Sequence, residues 1–417
     1  MIRIYPSVFS GQLKAPASHA HAQRLLFMSC IPAKPTTVHN VPDCEDVDAA
    51  IRCLEAMGCV IDRNGTDVTV TPFPKGIMGQ IAEFNFGQSA TTSRIAIALA
   101  AAFGIRAECK ASGNLPRRAL FPLTGRMAIR GVRFTKFSMP FSMQGKLEPG
   151  EYVFEGDEGS QFISALLMAL PLLASDSTLK LASPLIDSSF VDLTIRSLAD
   201  FGVKIETTDY GYFIPGRQYY HSPGEITTEN DWGLAALWVA AGAASGERSG
   251  DVVITDLPAD SPQLYRDVAK EFPFIAQDYA ELDFDASTCP SLASFYAAMS
   301  AVKGATVTIS GVPQLRSKES DRLAVMAEIC NALGQKTTLK KDGLHIDGTG
   351  KPEYPEDLKI NCHRDPWIFM SMALAAGKLA KPIVLKDEHC AEKLNRGFLD
   401  DFRRLGGKYE IIPDSQD

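Results

Sequence analysis

The stretch Ser317-Lys318-Glu319-Ser320-Asp321-Arg322-Leu323 sets two cations and a carboxylate against an apolar series, Leu323, Met326, Ile329 and Leu333, with helical spacing. Read as a helix start, it puts Lys318 and Arg322 on one face at i,i+4, with Glu319 to the side. Such a group can grip an oxyanion and move a proton. The plainer alternative is a Ser317 cap followed by an exposed, salt-bridged turn.

Other small, polar or cationic segments open nearly apolar stretches. They are Ser18-His19-Ala20-His21, Gly87-Gln88-Ser89-Ala90-Thr91-Thr92-Ser93-Arg94, Gly156-Asp157-Glu158-Gly159-Ser160-Gln161, Glu229-Asn230-Asp231-Trp232, Cys289-Pro290-Ser291 and Asn361-Cys362-His363-Arg364. Helix N-termini offer free N–H groups and the positive dipole end, so several converging would bind an anion without a Walker loop. Taken singly, each reads as an ordinary cap. Arg24, Arg94 and Arg364 in three of the six shift the balance toward binding.

The elements that position these residues repeat. An amphipathic helix ends at a Gly, and a strand, a turn and often a second strand follow. The stops are Gly58, Gly131, Gly202, Gly334 and Gly406, with Phe272 standing in for a sixth, spaced by about 60 to 73 residues. The strands expected after them include Cys59-Val60-Ile61, Val203-Lys204-Ile205, Thr337-Thr338-Leu339 and Tyr409 onward. Between them lie six helices apolar all round: Arg24 to Ile31, Ile95 to Ile105, Phe162 to Ala174, Leu234 to Ala244, Leu292 to Val302 and Trp367 to Ala376. A helix with no polar face must be buried on every side. Three repeats per domain give two similar α/β domains, with sheets outside and apolar helices within.

Composition narrows the function. A chain of 417 residues holds two or more domains, and 45% hydrophobic content suits a globular protein. A net charge of -8 argues against a general nucleic-acid or anionic-membrane binder. Nine scattered cysteines with no CxxC pair read as cytoplasmic thiols rather than disulfides or a zinc site. The N-terminal Met1-Ile2-Arg3-Ile4-Tyr5-Pro6 reads as a strand, not a signal peptide. The longest apolar run, Phe162 to Ala174, is broken by Pro171 and is too short to span a bilayer.

Taken together, the chain resembles the enolpyruvyl transferase family over nearly its whole length. Lys318-Glu319-Ser320-Asp321-Arg322-Leu323 resembles the family's Lys-Glu-Thr-Asp-Arg-Leu. Gly159-Ser160-Gln161-Phe162 resembles Ser-Ser-Gln-Phe, and Val191-Asp192-Leu193-Thr194 resembles Ile-Asp-Ile-Thr. His363-Arg364, Lys393, Arg24 and Ala15-Pro16-Ala17-Ser18 also match. The resemblance implies a two-domain inside-out α/β barrel, each domain three βαβαββ units around buried helices. Residues 18–229 would form one domain and 1–17 plus 230–417 the other, with ligands in a cleft between them.

It also implies transfer of the enolpyruvyl group of phosphoenolpyruvate to the 5-hydroxyl of shikimate 3-phosphate, with phosphate release and no metal or cofactor. Glu319, Lys393, His363 and the Ser291 position would serve catalysis. Arg24, Ser160, Gln161 and Lys318 would hold shikimate 3-phosphate. His19, Gln88, Arg322 and Arg364, with His363, would hold phosphoenolpyruvate. A cytoplasmic monomer is expected, with no nucleic-acid or membrane partner.

Departures from the family pattern gather at helix starts. His19 stands for a lysine and Ala20 for a serine. Gln88-Ser89-Ala90-Thr91 replaces Asn-Ala-Gly-Thr, and Phe121 replaces an arginine before Pro122. Asp187 and Phe190 alter the Ser-x-x-Tyr segment, and Ser291 replaces an aspartate after Pro290. Serine cannot act as a carboxylate base, and histidine is a pH-dependent anion ligand. These changes leave two alternatives: a transferase with another hydroxyl acceptor, or a non-catalytic homologue that binds an anion or a partner.

Overall fold

The computed structural model describes residues 1–73, 81–244, 252–263, 265 and 281–413. The chain divides into a central unit, Ala17–Glu229, and a terminal unit of Met1–Pro16 with Asn230–Asp417.

Strands in both units show one pattern. In the central unit, Thr36–His39 pairs parallel with Glu225–Thr227 and antiparallel with Asp67–Thr71, which pairs antiparallel with Val60–Asn64. The sheets built on Arg106–Lys110 and Ser177–Leu181 repeat this parallel, antiparallel, antiparallel order. In the terminal unit the sheet on Thr306–Ser310 repeats it again. So does the sheet in which Ile2–Tyr5 lies between Ile383–Leu385 and Lys408–Ile411. Gly11–Lys14 and Val252–Thr255 form a parallel pair. Among the described residues the strands stay in separate sheets, and none closes into a barrel. The class is mixed α/β.

The apolar helices have almost no solvent face. Ala90–Phe103 packs on Ser160–Ala169 in the central unit, and Ala293–Lys303 on Pro366–Ala375 in the terminal one. From Ile95 to Ala101 every residue is 0% exposed. The sheet strands Ile81–Asn85 and Arg106–Lys110 bury alternate residues, as a one-sided sheet must. All six apolar stretches are helical, with shifted ends: the first runs His19–Ser29, and Pro171 turns the end of the third into a 3-10 turn, Leu170–Leu172.

Gly58, Gly131, Gly202, Gly334 and Gly406 all have positive φ, the conformation that ends a helix without strain at a Cβ. The sixth stop, at Phe272, lies outside the described residues. One expected strand shifts. Val203-Lys204-Ile205 is irregular, and the strand is Glu206–Thr208. The Val203 N–H bonds the Leu198 carbonyl, and the Gln218 amide clamps Lys204 through both its N–H and C=O at 2.8 Å, so their ladder groups are taken. Leu166→Ala, at a wholly buried site, should cost about 2–5 kcal/mol, read as a lower urea midpoint.

Candidate active site

The helix carrying Arg322 starts later than the sequence suggests. Pro313–Ser317 is a 3-10 turn, residues 318–320 bend, and the helix runs Arg322–Ala332. Asp321, not Ser317, caps it: Oδ1 accepts the Ala324 N–H at 3.1 Å, while Oδ2 accepts Arg316 Nη1 at 3.2 Å. Lys318 therefore lies outside the helix and shares no helical face with Arg322. The bend turns Glu319 back onto Arg322 rather than away from it.

Arg322 is the centre of the site, its side chain 3% exposed. Its Nη2 donates to Glu319 Oε2 at 2.6 Å, and its Nε donates to Asp365 Oδ2 at 2.7 Å. Lys393 Nζ stands 3.3 Å from Glu319 Oε1, so Glu319 bridges two cations. Burial lowers the Arg322 pKa, but Asp365 and then Glu319 outweigh it and leave the group above its ordinary value.

Asp365 is the functional residue that sequence reasoning missed. It is 0% exposed. Its Oδ1 accepts the Trp367 and Ile368 N–H groups, capping helix Pro366–Ala375, and its Oδ2 accepts Ser320 Oγ at 3.0 Å as well as Arg322. An aspartate directly before a proline is a strong helix-start signal, but it points to a cap and not to a partner on another helix.

His363 and Arg364 are not part of this cluster. Both have positive φ, 51° and 56°. Asn361 Oδ1 and Asp387 Oδ2 accept their N–H groups at 2.8 and 3.1 Å and hold the turn. His363 Nε2 lies 3.3 Å from Glu328 Oε2, and the Arg364 side chain is 69% exposed, its Nε 3.7 Å from Asp387. Ser291 sits in the turn Pro290–Leu292, its N–H directed at Tyr265 Oη at 3.5 Å. Tyr265 is buried, a neighbour no motif announced.

In the central unit Arg24 is 1% exposed and hydrogen-bonds neutral oxygens. They are Thr194 Oγ1 at 2.6 Å, the Ala20 carbonyl at 2.7 Å, Ser164 Oγ at 3.2 Å and the Phe190 carbonyl at 3.1 Å. The Phe190 ring lies 5.7 Å from the guanidinium. Burial pulls the Arg24 pKa down to about 10, against the opposing charge of Asp187. Ser160 opens its helix after Gly159, and Gln161 Nε2 donates to Thr91 Oγ1 at 3.0 Å. Gln88 packs its amide over Gly113, where a Cβ would come within 2.0 Å of its oxygen. Phe121, where the family has arginine, is 61% exposed and meets Phe137 edge-on at 5.2 Å.

His19 is the first residue of its helix, and His21 behind it is buried. His21 Nδ1 accepts the Glu229 N–H at 3.0 Å, which requires the neutral ring. Burial, aided by Arg24 and Arg196, pushes the His21 pKa down to about 3. Among the described residues no group of three or more His, Cys, Asp and Glu is placed to hold a metal ion.

In fold the chain is an enolpyruvyl transferase. It superposes on EPSP synthase from Acinetobacter baumannii with a TM-score of 0.77 at 19% identity, covering 99% of each chain. It does so on the enolpyruvyl transferase NikO from Streptomyces tendae with a TM-score of 0.74 at 18% identity, again over 99% of each. The chain belongs to the EPSP synthase (3-phosphoshikimate 1-carboxyvinyltransferase) family, whose model matches residues 5–402. A relative named 3-phosphoshikimate 1-carboxyvinyltransferase in Clostridium beijerinckii is 30% identical over 433 residues, covering 98% of each chain. One of the same name in Clostridioides difficile is 28% identical over 436 residues, with the same coverage.

The His21 geometry fixes a pH response. The unfolded imidazole protonates near 6.5 and the folded one near 3, so the unfolded chain takes the proton first as pH falls. The stability tied to a neutral His21 is complete above about pH 6.5 and is lost progressively toward pH 3. His21→Asn keeps an acceptor for Glu229 and should flatten this acid limb, measured as urea midpoints between pH 7 and 4.

Proposed function

We propose that this chain transfers the enolpyruvyl group of phosphoenolpyruvate to the 5-hydroxyl of shikimate 3-phosphate and releases phosphate, a step of aromatic amino acid biosynthesis. The observation that carries the reading is Glu319 held between Lys393 and Arg322. Addition of the hydroxyl to the enol carbon needs a base for the hydroxyl proton and a proton at the methylene carbon; elimination of phosphate takes a proton back from the methyl carbon so formed. Glu319 and Lys393 are the proton-handling pair, and Arg322 meets the negative charge of phosphoenolpyruvate. Arginine suits this role because its planar fork fits an oxyanion.

On the same reading His363, Arg364, His19 and Gln88 complete the phosphoenolpyruvate site. Arg24, Ser160, Gln161 and Lys318 hold shikimate 3-phosphate, and Ser291 takes the position of the family's aspartate. The exposed Arg364 must then swing inward on binding. Each unit is read as three βαβαββ repeats of an inside-out barrel, supported by the strand order that five sheets share. The free thiols support a cytoplasmic protein, and on the same reading it is a monomer.

One observation favours a second acceptor. Arg24 already spends four hydrogen bonds on its own unit, and Phe190 covers its face. An acceptor other than shikimate 3-phosphate would then be used, and the latter would not raise the melting temperature.

The test is phosphate release with phosphoenolpyruvate and shikimate 3-phosphate. Turnover is expected, and none above background at high enzyme concentration removes the reading. Glu319→Gln should lower kcat by about 10²- to 10⁴-fold while the chain stays folded. Ala90 adds a methyl where the family loop has glycine, so glyphosate should inhibit poorly against phosphoenolpyruvate.

A further inference from the structure

We infer that Asp365 is a positioning residue that aims Arg322, a role resting on the reading of Arg322 as a phosphoenolpyruvate ligand. A guanidinium has two edges that can grip an oxyanion side by side: Nε with Nη2, and Nη1 with Nη2. In Arg322 two different carboxylates take Nε and Nη2, Asp365 on Nε at 2.7 Å and Glu319 on Nη2 at 2.6 Å. Nη1 hydrogen-bonds no described residue. Nη1 is thereby left to meet a ligand, and the arginine cannot rotate about its terminal bonds without breaking a buried, charge-assisted hydrogen bond.

Asp365 can impose this because it is itself immobile. It is wholly buried, and its Oδ1 is fixed by the N–H groups of Trp367 and Ile368. Ser320 Oγ donates to the same Oδ2 that receives Arg322, which fixes the bend carrying Glu319 as well. One carboxylate thus sets the start of one helix, the direction of the arginine on a second and the bend before it. The charges also balance: Arg322 and Lys393 face Glu319 and Asp365, so the arriving phosphoenolpyruvate meets Arg322 already oriented and brings the excess negative charge itself.

The test separates aiming from capping. Asp365→Asn keeps an oxygen to cap the helix but loses the negative charge, and Asp365→Ser, another good cap, serves if the first does not fold. Losing a charge-assisted hydrogen bond should raise the KM for phosphoenolpyruvate about tenfold or more, while the KM for the acceptor moves less than about twofold. A second readout is independent of turnover: phenylglyoxal should label Arg322 faster in the variant, mapped by mass spectrometry. Unchanged labelling in a folded variant overturns the proposal, and so does faster labelling with an unchanged phosphoenolpyruvate KM. Faster labelling in a chain whose wild type transfers no enolpyruvate leaves the aiming role standing and removes only the reading of function.

Discussion

A guanidinium that is 3% exposed cannot stand alone, and the terminal unit is arranged around that fact. Removing one partner of a buried ion pair leaves an uncompensated charge, which costs about 3–5 kcal/mol. Arg322 meets the requirement with carboxylates from two chain segments, each fixed in turn by backbone or by another cation. The caps at Asp321 and Asp365 set where two helices begin, and Arg322 ties both to Glu319. Asp365 joins the two roles in one side chain: its Oδ1 begins a helix while its Oδ2 meets the charge of Arg322.

The central unit solves a similar problem by other means. Arg24 lies among hydroxyl and carbonyl oxygens and beneath an aromatic ring, and Arg94 meets the carbonyls of Ala90 and Ala119, the Ser93 hydroxyl and the Phe162 ring. Neutral oxygens and ring faces stabilise a cation less than a carboxylate does, and the depressed Arg24 pKa reflects this. The two units therefore hold their buried cations differently: one paired with carboxylates, the other set among neutral oxygens and a ring face.

Much of the fold was legible because it depends on local or periodic signals. Apolar helices such as Ile95 to Ala101 announce total burial, and Gly58 and Gly202 mark the stops of the amphipathic helices through a backbone conformation only glycine takes freely. Glu319, Arg322 and Lys393 were legible as a motif, and the structure brings them together. What was not legible depends on distance in sequence or on side chains competing for backbone. The Arg322 to Asp365 pair spans 43 residues, and nothing near Asp365 distinguishes a cap from a counter-ion. The strand expected at Val203-Lys204-Ile205 was lost because the Leu198 carbonyl takes the Val203 N–H and the Gln218 amide takes both backbone groups of Lys204. The turn that sends Glu319 back toward Arg322 follows from the choice of Asp321 over Ser317 as cap, where both residues were chemically suitable.

The strand Ile2–Tyr5 sits between Ile383–Leu385 and Lys408–Ile411. Its two neighbours are synthesised hundreds of residues later, while the sheets of Ala17–Glu229 pair strands of that unit with one another. During synthesis the central unit can finish folding while the first five residues still wait for their sheet. The sheet on Ile2–Tyr5 closes only after Ile383–Leu385 and Lys408–Ile411 are made, and a product truncated before them would carry a finished half attached to an open strand edge, the kind of surface that quality control and aggregation both recognise.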